Sequence, residues 1–122
     1  MKVFDVVVLG AGSAGEAIAK NLVAAGKSVA IVEKLRVGGE CAYVSCMPSK
    51  AMLRSAHVRT LAENLPTLGA AMNAPDLGDA FEAFHIAAQR RDEIVSHRSD
   101  KSASAEIQNS GIRLFRGEGV IT

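Results

Sequence analysis

Residues 3–33 read VFDVVVLGAGSAGEAIAKNLVAAGKSVAIVE and indicate the architecture of this chain. A Val-rich apolar run over residues 3–9 is typical of a short strand. Residues 16–25 then carry apolar side chains at helical spacing, and residues 28–32 form a second apolar run. This order predicts a strand, a tight turn, a helix and a second strand parallel to the first.

The turn of this unit is rich in glycine and reads Gly10-Ala11-Gly12-Ser13-Ala14-Gly15. Glycines at this spacing between a strand and a helix are the fingerprint of a dinucleotide-binding unit. Gly10 allows the tight turn, Gly12 lets the backbone approach a pyrophosphate, and Gly15 lets the helix pack closely on the strand. We expect phosphates to bind at the positive N-terminus of this helix. A glycine-rich turn without a ligand is the alternative.

Glu33 ends the second strand, about 20 residues after the turn. A carboxylate at that place can accept hydrogen bonds from the two hydroxyls of a ribose. Its negative charge also disfavours a 2′-phosphate on the same ribose. The sequence therefore predicts a nucleotide site built by the turn and Glu33.

Further along the chain, residues 47–65 are predicted to be helical and residues 66–78, with their prolines and glycines, to be a loop. Asp79 is expected to cap a long helix over residues 80–109, with a break allowed near Ser99. A third strand follows at residues 112–115, then a turn at 117–119 and the start of another strand at 120–121. The residues expected to be buried on these helices are Met52, Ala56, Leu61, Phe81, Phe84, Ala88, Ile94 and Ile107.

These elements define an α/β fold: a Rossmann-like parallel sheet with a helical pair inserted between the second and third strands. The uninterrupted apolar run over residues 6–9 is typical of a parallel strand covered on both faces. Right-handed crossovers nevertheless give the strand order third, second, first, which leaves the first strand at the edge.

The composition argues against several classes of function. The 122 residues carry a formal net charge of +1, and aromatic residues make up 4% with no Trp, so nucleic-acid binding is not expected. The apolar runs are too short to span a bilayer, and no signal peptide is recognised. Two cysteines are too few to staple a secreted domain, so we expect a cytoplasmic protein without membrane association.

Both cysteines lie in one segment, Gly38-Gly39-Glu40-Cys41-Ala42-Tyr43-Val44-Ser45-Cys46-Met47-Pro48-Ser49-Lys50. In a regular helix, residues five apart are roughly 8–9 Å apart, beyond the roughly 4.4–6.8 Å that a disulfide needs between Cα atoms. The helix must therefore be distorted or begin within the segment. Pro48 supports this, because it has no N–H for the carbonyl of Val44. A redox pair is favoured; two unpaired thiols and a zinc site that also uses His remain alternatives.

Together, the glycine turn, Glu33 and the Cys41-x4-Cys46-x-Pro48-Ser49-Lys50 segment resemble the N-terminus of the pyridine nucleotide–disulfide oxidoreductases. These are the relatives of dihydrolipoamide dehydrogenase, glutathione reductase and mercuric reductase. The resemblance is strong through Lys50 and weaker as far as residues 117–119. It implies an FAD-dependent oxidoreductase that takes electrons from NAD(P)H.

The resemblance also implies where FAD binds. The pyrophosphate would lie against the glycine turn, the adenosine ribose at Glu33, and the adenine near Lys34 and the turn at 117–119. Gly39 and Glu40 would follow the pyrophosphate and ribityl chain, and Lys50 would approach the flavin. The implied FAD-binding residues are Gly10, Gly12, Ser13, Ala14, Gly15, Glu33, Lys34, Gly39, Glu40, Cys46, Lys50, Glu118 and Gly119.

By the same resemblance, Cys41 and Cys46 are the catalytic residues and form a redox-active disulfide. Cys46 would lie against the flavin as a charge-transfer thiolate, and Cys41 would exchange with a disulfide or related substrate. The sequence departs from the family at Glu40, where Thr is common, and at Ser45, where Gly is common. A carboxylate at Glu40 should raise the pKa of the Cys41 thiol.

Family members are several times longer than this chain. We therefore expect residues 1–122 to be a partial FAD-binding domain, without the NAD(P) and dimerisation domains of a homodimeric enzyme. Such a fragment is expected to be inactive, to bind FAD weakly or not at all, and to self-associate through its first strand or exposed helices. A stand-alone nucleotide-binding or thiol-sensing module is the main alternative, and a quinone or metal ion as substrate is another.

Overall fold

In the computed structural model, which describes residues 2–122, three parallel strands form one sheet. They are β1 (Val6–Leu9), β2 (Val29–Glu33) and β3 (Arg113–Arg116), in the order β1-β2-β3. The predicted order is confirmed, so β1 is an edge strand and β2 is paired on both sides.

Five helices accompany the sheet: α1 (Ser13–Ala24), α2 (Gly39–Tyr43), α3 (Cys46–Glu63), α4 (Ala80–Ile94) and α5 (Lys101–Asn109). The predicted helical pair corresponds to α3 and α4. The short α2 was not predicted. A left-handed turn at Ser96–Arg98 separates α4 from α5 and confirms the break expected near Ser99.

The core lies on one face of the sheet, where α1 and α5 pack against β2. Its buried residues are Ala11, Ala19, Val29, Ile31, Val37, Ile107 and Ile112, with Val8 packed beside them. On the opposite face, the side chains of Val7 and Leu9 remain 53% and 48% exposed. The expectation that β1 is covered on both faces is therefore wrong for residues 2–122. The alternation of a strand turns every second side chain of β1 away from the core.

The predicted buried stripe of the helical pair is mostly wrong. The buried residues of α3 and α4 are Pro48, Ala51 and Ala87, and the Arg90 guanidinium on α4 donates a hydrogen bond to the Ala51 carbonyl on α3 at 3.3 Å. Met52 and Ala88 are half-buried, whereas Ala56, Leu61, Phe81, Phe84 and Ile94 are exposed. Ile107 is buried as predicted, because α5 lies on the sheet rather than continuing α4.

The ends of the later elements are locally determined. The Asp79 carboxylate caps α4 by accepting hydrogen bonds from the Phe81 and Glu82 amides, both at 2.9 Å, which confirms the predicted cap. The strand expected at residues 120–121 is not formed: Val120 and Ile121 are 78% and 87% exposed and pair with no strand of residues 2–122. None of the helices described is both long and apolar enough to cross a membrane.

Candidate functional site

The glycine turn connects β1 to α1 with the geometry that its spacing predicts. Gly10 has φ +96°, in the left-handed region that favours glycine, and its amide donates to the Val32 carbonyl at 2.8 Å. A Cβ atom on Gly15 would overlap the Gly10 carbonyl and come within 3.3 Å of the Val8 side chain. The structural roles predicted for Gly10 and Gly15 are thus confirmed: a tight turn and a close approach of helix to strand.

Gly12 lies beside open space at the start of α1. Apart from Gly12 itself and its two chain neighbours, no atom of residues 2–122 is within 4 Å of the position of a Cβ on Gly12. No side chain of the described residues caps α1, and Ser13 and Ala14 are exposed. The first amides of the helix therefore point towards space that a ligand can occupy.

Glu33 is the one buried charged residue among those described, at 8% exposure. One carboxylate oxygen accepts a hydrogen bond from the Ala11 amide and the other accepts one from the Leu35 amide, each at 2.6 Å. A carboxylate can accept about four hydrogen bonds. Each oxygen of Glu33 therefore keeps acceptor capacity for a ribose hydroxyl.

One cavity of about 260 Å³ gathers predicted site residues that are distant in sequence. Its wall is formed by Leu9, Gly10, Val32, Glu33, Lys34, Leu35, Gly117, Glu118 and Gly119. We call it the glycine-turn pocket. The Lys34 ammonium and the Glu118 carboxylate are 3.4 Å apart, and both side chains are exposed. A Cβ on Gly119 would collide with Leu9, so the turn at 117–119 lies directly over the end of β1.

A second cavity of about 240 Å³ shares Glu33 and Leu35 with the first and is also lined by Arg36, Gly39, Glu40, Tyr43 and Val44. Gly39 lines this cavity because α2 begins next to the glycine turn: a Cβ atom added to Gly39 would lie 3.0 Å from the Gly12 Cα. Gly38 has φ +103°, and a Cβ there would lie 2.9 Å from the Tyr43 ring. Cys41, Cys46 and Lys50 line neither cavity.

The two thiols lie at a break between helices. Helix α2 ends at Tyr43, the backbone turns at Val44 and Ser45, and α3 begins at Cys46. The prediction that a helix begins inside the cysteine segment is confirmed. Both cysteines are free thiols in this structure, and they are close enough for each to shift the pKa of the other.

The proximity of the two thiols makes their acidities differ. Hydrogen bonds from the Cys41 thiol and then from the Ser45 hydroxyl lower the pKa of Cys46, with a smaller contribution from the Lys50 ammonium. The pKa of Cys41 is raised, chiefly by its hydrogen bond to Cys46. The predicted direction for Cys41 is therefore right, but the cause is Cys46, and Glu40 does not contribute to it. Cys46 forms a thiolate first.

A group of contacts that the sequence did not reveal holds the loop between β2 and α2. The Asp100 carboxylate accepts hydrogen bonds from the Val37 amide at 2.8 Å and from the Arg116 guanidinium at 2.6 Å. Partial burial acts to raise the pKa of Asp100, but Arg116 and the Val37 amide outweigh it, so the pKa is lowered. The Arg36 side chain donates to the Arg98 carbonyl at 3.0 Å. No local pattern signals these pairs, since Val37 and Asp100 are 63 residues apart.

Comparison with known proteins identifies the family. The model of the pyridine nucleotide-disulphide oxidoreductase family matches residues 4–122. The chain belongs to this family. Members of this oxidoreductase family are flavoproteins that bind FAD and use NAD(P)H, so the predicted cofactors are confirmed at the level of the family.

Individual relatives agree with this membership. The chain is 37% identical to a dihydrolipoyl dehydrogenase of Chlorobaculum parvum over 98% of its length and 24% of that protein. It is 32% identical to a mercuric reductase of Bacillus cereus, over 94% of this chain and 17% of that protein. The chain thus spans about a quarter or less of the curated relatives named here.

A solved structure shows the same fold. The flavoprotein disulfide reductase RclA from Escherichia coli, induced by HOCl, superposes with a TM-score of 0.67 at 24% identity, over 94% of this chain and 22% of RclA. Its Cu(II) complex gives a TM-score of 0.70 over 99% of this chain and 23% of that chain. Within residues 2–122, no group of three or more His, Cys, Asp or Glu side chains is arranged to hold a metal ion.

Proposed function

We propose that this chain is the FAD- and disulfide-bearing part of an oxidoreductase that passes electrons from NAD(P)H to a disulfide substrate. The observation that carries the proposal is the placement of Cys41 and Cys46 on the two sides of the break between α2 and α3, where their thiol pKa values are shifted in opposite directions. A pair of this kind is suited to thiol–disulfide exchange, since the pKa of one thiol is lowered and the other thiol is exposed.

The residues present fit FAD. Space is open beside Gly12, Glu33 keeps acceptor capacity, and two cavities meet at Glu33. When bound, FAD would supply the electron pair that reduces the disulfide. The residues proposed to hold it are Gly10, Gly12, Ser13, Ala14 and Gly15 at the pyrophosphate, Glu33 at the ribose, Lys34, Glu118 and Gly119 at the adenine, Gly39 and Glu40 along the chain between, and Cys46 and Lys50 at the flavin.

Exchange with the substrate begins at the exposed Cys41. Its proton moves to the Cys46 thiolate, and the Cys41 sulfur attacks one substrate sulfur. A mixed disulfide forms on Cys41, and the departing thiolate takes the proton from Cys46. The Cys46 thiolate then attacks the Cys41 sulfur, which closes the Cys41–Cys46 disulfide and releases the second substrate thiolate to be protonated by water.

Single-turnover exchange tests this function without added cofactor. The chain is reduced, freed of reductant and mixed with 2-hydroxyethyl disulfide. We expect two thiols released per chain and loss of two hydrogen atoms from the protein mass, as the exchange stoichiometry requires. Cys46→Ser should stop at a mixed disulfide on Cys41, whereas Cys41→Ser should react slowly. Identical behaviour of the two variants would contradict separate roles.

The nucleotide site is tested by equilibrium dialysis against FAD. We expect weak, saturable binding by the chain, and none by Gly12→Val, whose side chain would fill the open space at the start of α1. Both proteins should release the same amount of thiol in the exchange assay, because Gly12 is not in the thiol segment. Equal FAD retention by both proteins would refute the assignment.

The further domains, the oligomeric state and the compartment of the complete enzyme are also part of the proposal. The NAD(P) and dimerisation domains are proposed to lie outside these 122 residues, because relatives such as the dihydrolipoyl dehydrogenase are about four times as long. The complete enzyme would be a homodimer of the cytoplasm, where free thiols persist. Without those domains, NAD(P)H oxidation by the 122-residue chain should be negligible.

A further inference from the structure

A charged cleft lies beside the thiol pair and is not part of the two cavities around Glu33. It has a volume of about 400 Å³ and separates the start of α3 from the end of α4. We call it the arginine cleft. Its lining residues are Val44, Pro48, Ser49, Met52, Arg91 and Arg98.

The arginine cleft is within reach of a molecule that reacts with the thiols. Ser49 is one helical turn beyond Cys46 on α3, about 4.5 Å along the axis and on the same side of the helix. Val44, which also lines the cleft, lies in the break between Cys41 and Cys46. The cleft therefore borders the segment that carries both thiols, and we expect a substituent of a small disulfide at the thiols to extend into it.

The two guanidinium groups are held in place and keep donors free. The Asp92 carboxylate accepts two hydrogen bonds from Arg91, both at 3.0 Å, and one from Arg98 at 3.1 Å. One carboxylate faces two guanidinium groups, so the cluster keeps a net positive charge. Arg98 has five N–H donors and gives one of them to Asp92. The Arg91 and Arg98 side chains are only 26% and 39% exposed, so little freedom remains to be lost on binding.

Strained backbone presents Arg98 to the cleft. Ser96, His97 and Arg98 have φ values of +50°, +49° and +62°, and none of them is glycine. Left-handed conformations of such residues are unfavourable and persist where the surrounding structure enforces them, often at functional sites. Here the Arg98 amide donates to the Val95 carbonyl at 2.8 Å, and Arg36 donates to the Arg98 carbonyl.

We propose that the arginine cleft binds a carboxylate carried by the disulfide substrate, so that the physiological substrate is an acidic disulfide. This inference rests on the proposed function and names its substrate class. A guanidinium recognises a carboxylate through paired hydrogen bonds in a fixed geometry. A cluster with a single net positive charge matches a carboxylate better than a doubly charged phosphate. The exchange reaction itself is the one described above, with unchanged balance of protons and electrons.

The test compares two disulfides in the single-turnover assay: 3,3′-dithiodipropionate, which carries two carboxylates, and neutral 2-hydroxyethyl disulfide. Dithiothreitol, run in the same buffer, corrects for the intrinsic reactivity of each disulfide. We expect the reduced chain to prefer the acidic disulfide about tenfold after this correction, the effect of one charge-assisted hydrogen bond. Arg98→Gln should abolish the preference, and Arg98→Lys should restore part of it.

Arg113→Gln is the matched control, because it removes one positive charge from an exposed position on β3, away from the cleft. It should keep the preference. Loss of the preference in Arg113→Gln as well would show a general charge effect and overturn the proposal. The proposal would also be overturned if the wild-type chain and dithiothreitol showed the same ratio of rates for the two disulfides. An equal fall for both disulfides in Arg98→Gln would show a structural role only. Failure of the wild-type chain to reduce either disulfide would refute the proposed function itself.

Discussion

The sheet and the helical pair are two differently built halves of this chain. In the sheet half, β2 and the helices α1 and α5 bury one continuous cluster that includes Ile31 and Ile107. In the pair α3 and α4, the buried residues are Pro48, Ala51 and Ala87, while Phe81 and Phe84 are 72% and 55% exposed. The elements of the sheet half are held in place by backbone geometry and a hydrophobic core. The helices of the second half bury mainly small residues and are held by polar contacts.

The candidate site lies across this division. Both cavities around Glu33 belong to the sheet half, and the thiols lie where α3 begins. Regions with fewer buried contacts open more readily than a core does. We therefore expect the nucleotide pocket to be the more rigid part and the thiol segment to be the part that can adjust to a substrate.

The largest loss in the free energy of unfolding is expected for Gly15→Ala. The new methyl group would overlap the backbone carbonyl of Gly10, so we expect a loss of about 3 kcal/mol or more, at or above the upper end of the usual range for overpacking. Gly12→Ala is the matched control and should change the free energy of unfolding by less than about 0.5 kcal/mol. Urea unfolding measures both, and equal losses would show that the helix does not depend on its close approach to the turn.

A pair of Ile→Ala substitutions compares the two halves directly. Ile107 is 1% exposed in the core and Ile86 is 60% exposed on α4. Ile107→Ala should cost about 3 kcal/mol and Ile86→Ala about 0.5 kcal/mol or less. Thermal or urea unfolding gives the two values. A similar cost for both would mean that the outer face of α4 is as well packed as the core.

Asp100→Ala tests the polar link between the halves and should cost about 2 kcal/mol near neutral pH, because the Val37 amide and Arg116 lose a charged partner. The pKa of Asp100 is lowered in the folded chain. Its contribution to stability is therefore present above the unfolded pKa of about 3.9 and is lost as the pH falls through the folded pKa. The difference in the free energy of unfolding between wild type and Asp100→Ala should therefore become smaller in acid. A gap that stays constant down to about pH 2 would exclude this ionic role.

The smallest change in stability, less than about 0.5 kcal/mol, is expected for Cys41→Ala, whose effect is on acidity. Loss of the Cys41 thiol removes the main hydrogen bond that lowers the pKa of Cys46, so this pKa should rise. Cys41→Ser keeps a hydroxyl donor and should raise it less. The ultraviolet absorbance of the thiolate, followed against pH, measures both variants. A lower pKa of Cys46 in Cys41→Ala would contradict the assignment.

Local signals made much of the fold predictable in both halves. The glycine spacing gave the turn, Asp79 gave the cap of α4, and the spacing of Cys41 and Cys46 excluded a regular helix through both. The crossover rule gave the strand order. Each of these depends on residues close in sequence or on a general topological rule, which is why the sequence alone could predict them.

The features that the sequence did not predict depend on contacts between residues that are distant in the chain. Helical spacing places Phe81 and Phe84 on one stripe but does not say what covers it, and in residues 2–122 they remain exposed. The left-handed turn at Ser96–Arg98 contains neither Gly nor Asn, the residues that usually signal such a backbone. The arginine cleft follows from that turn, so it could not be predicted either.

Glu33 has a consequence for the speed of nucleotide binding. Its carboxylate ties the glycine turn to the loop after β2 through the protein's own amides of Ala11 and Leu35. The walls of the pocket are thus ordered by folding, and an arriving nucleotide has little chain entropy left to remove. Association should therefore approach the rate at which the partners meet, and the lifetime of the complex should set the affinity.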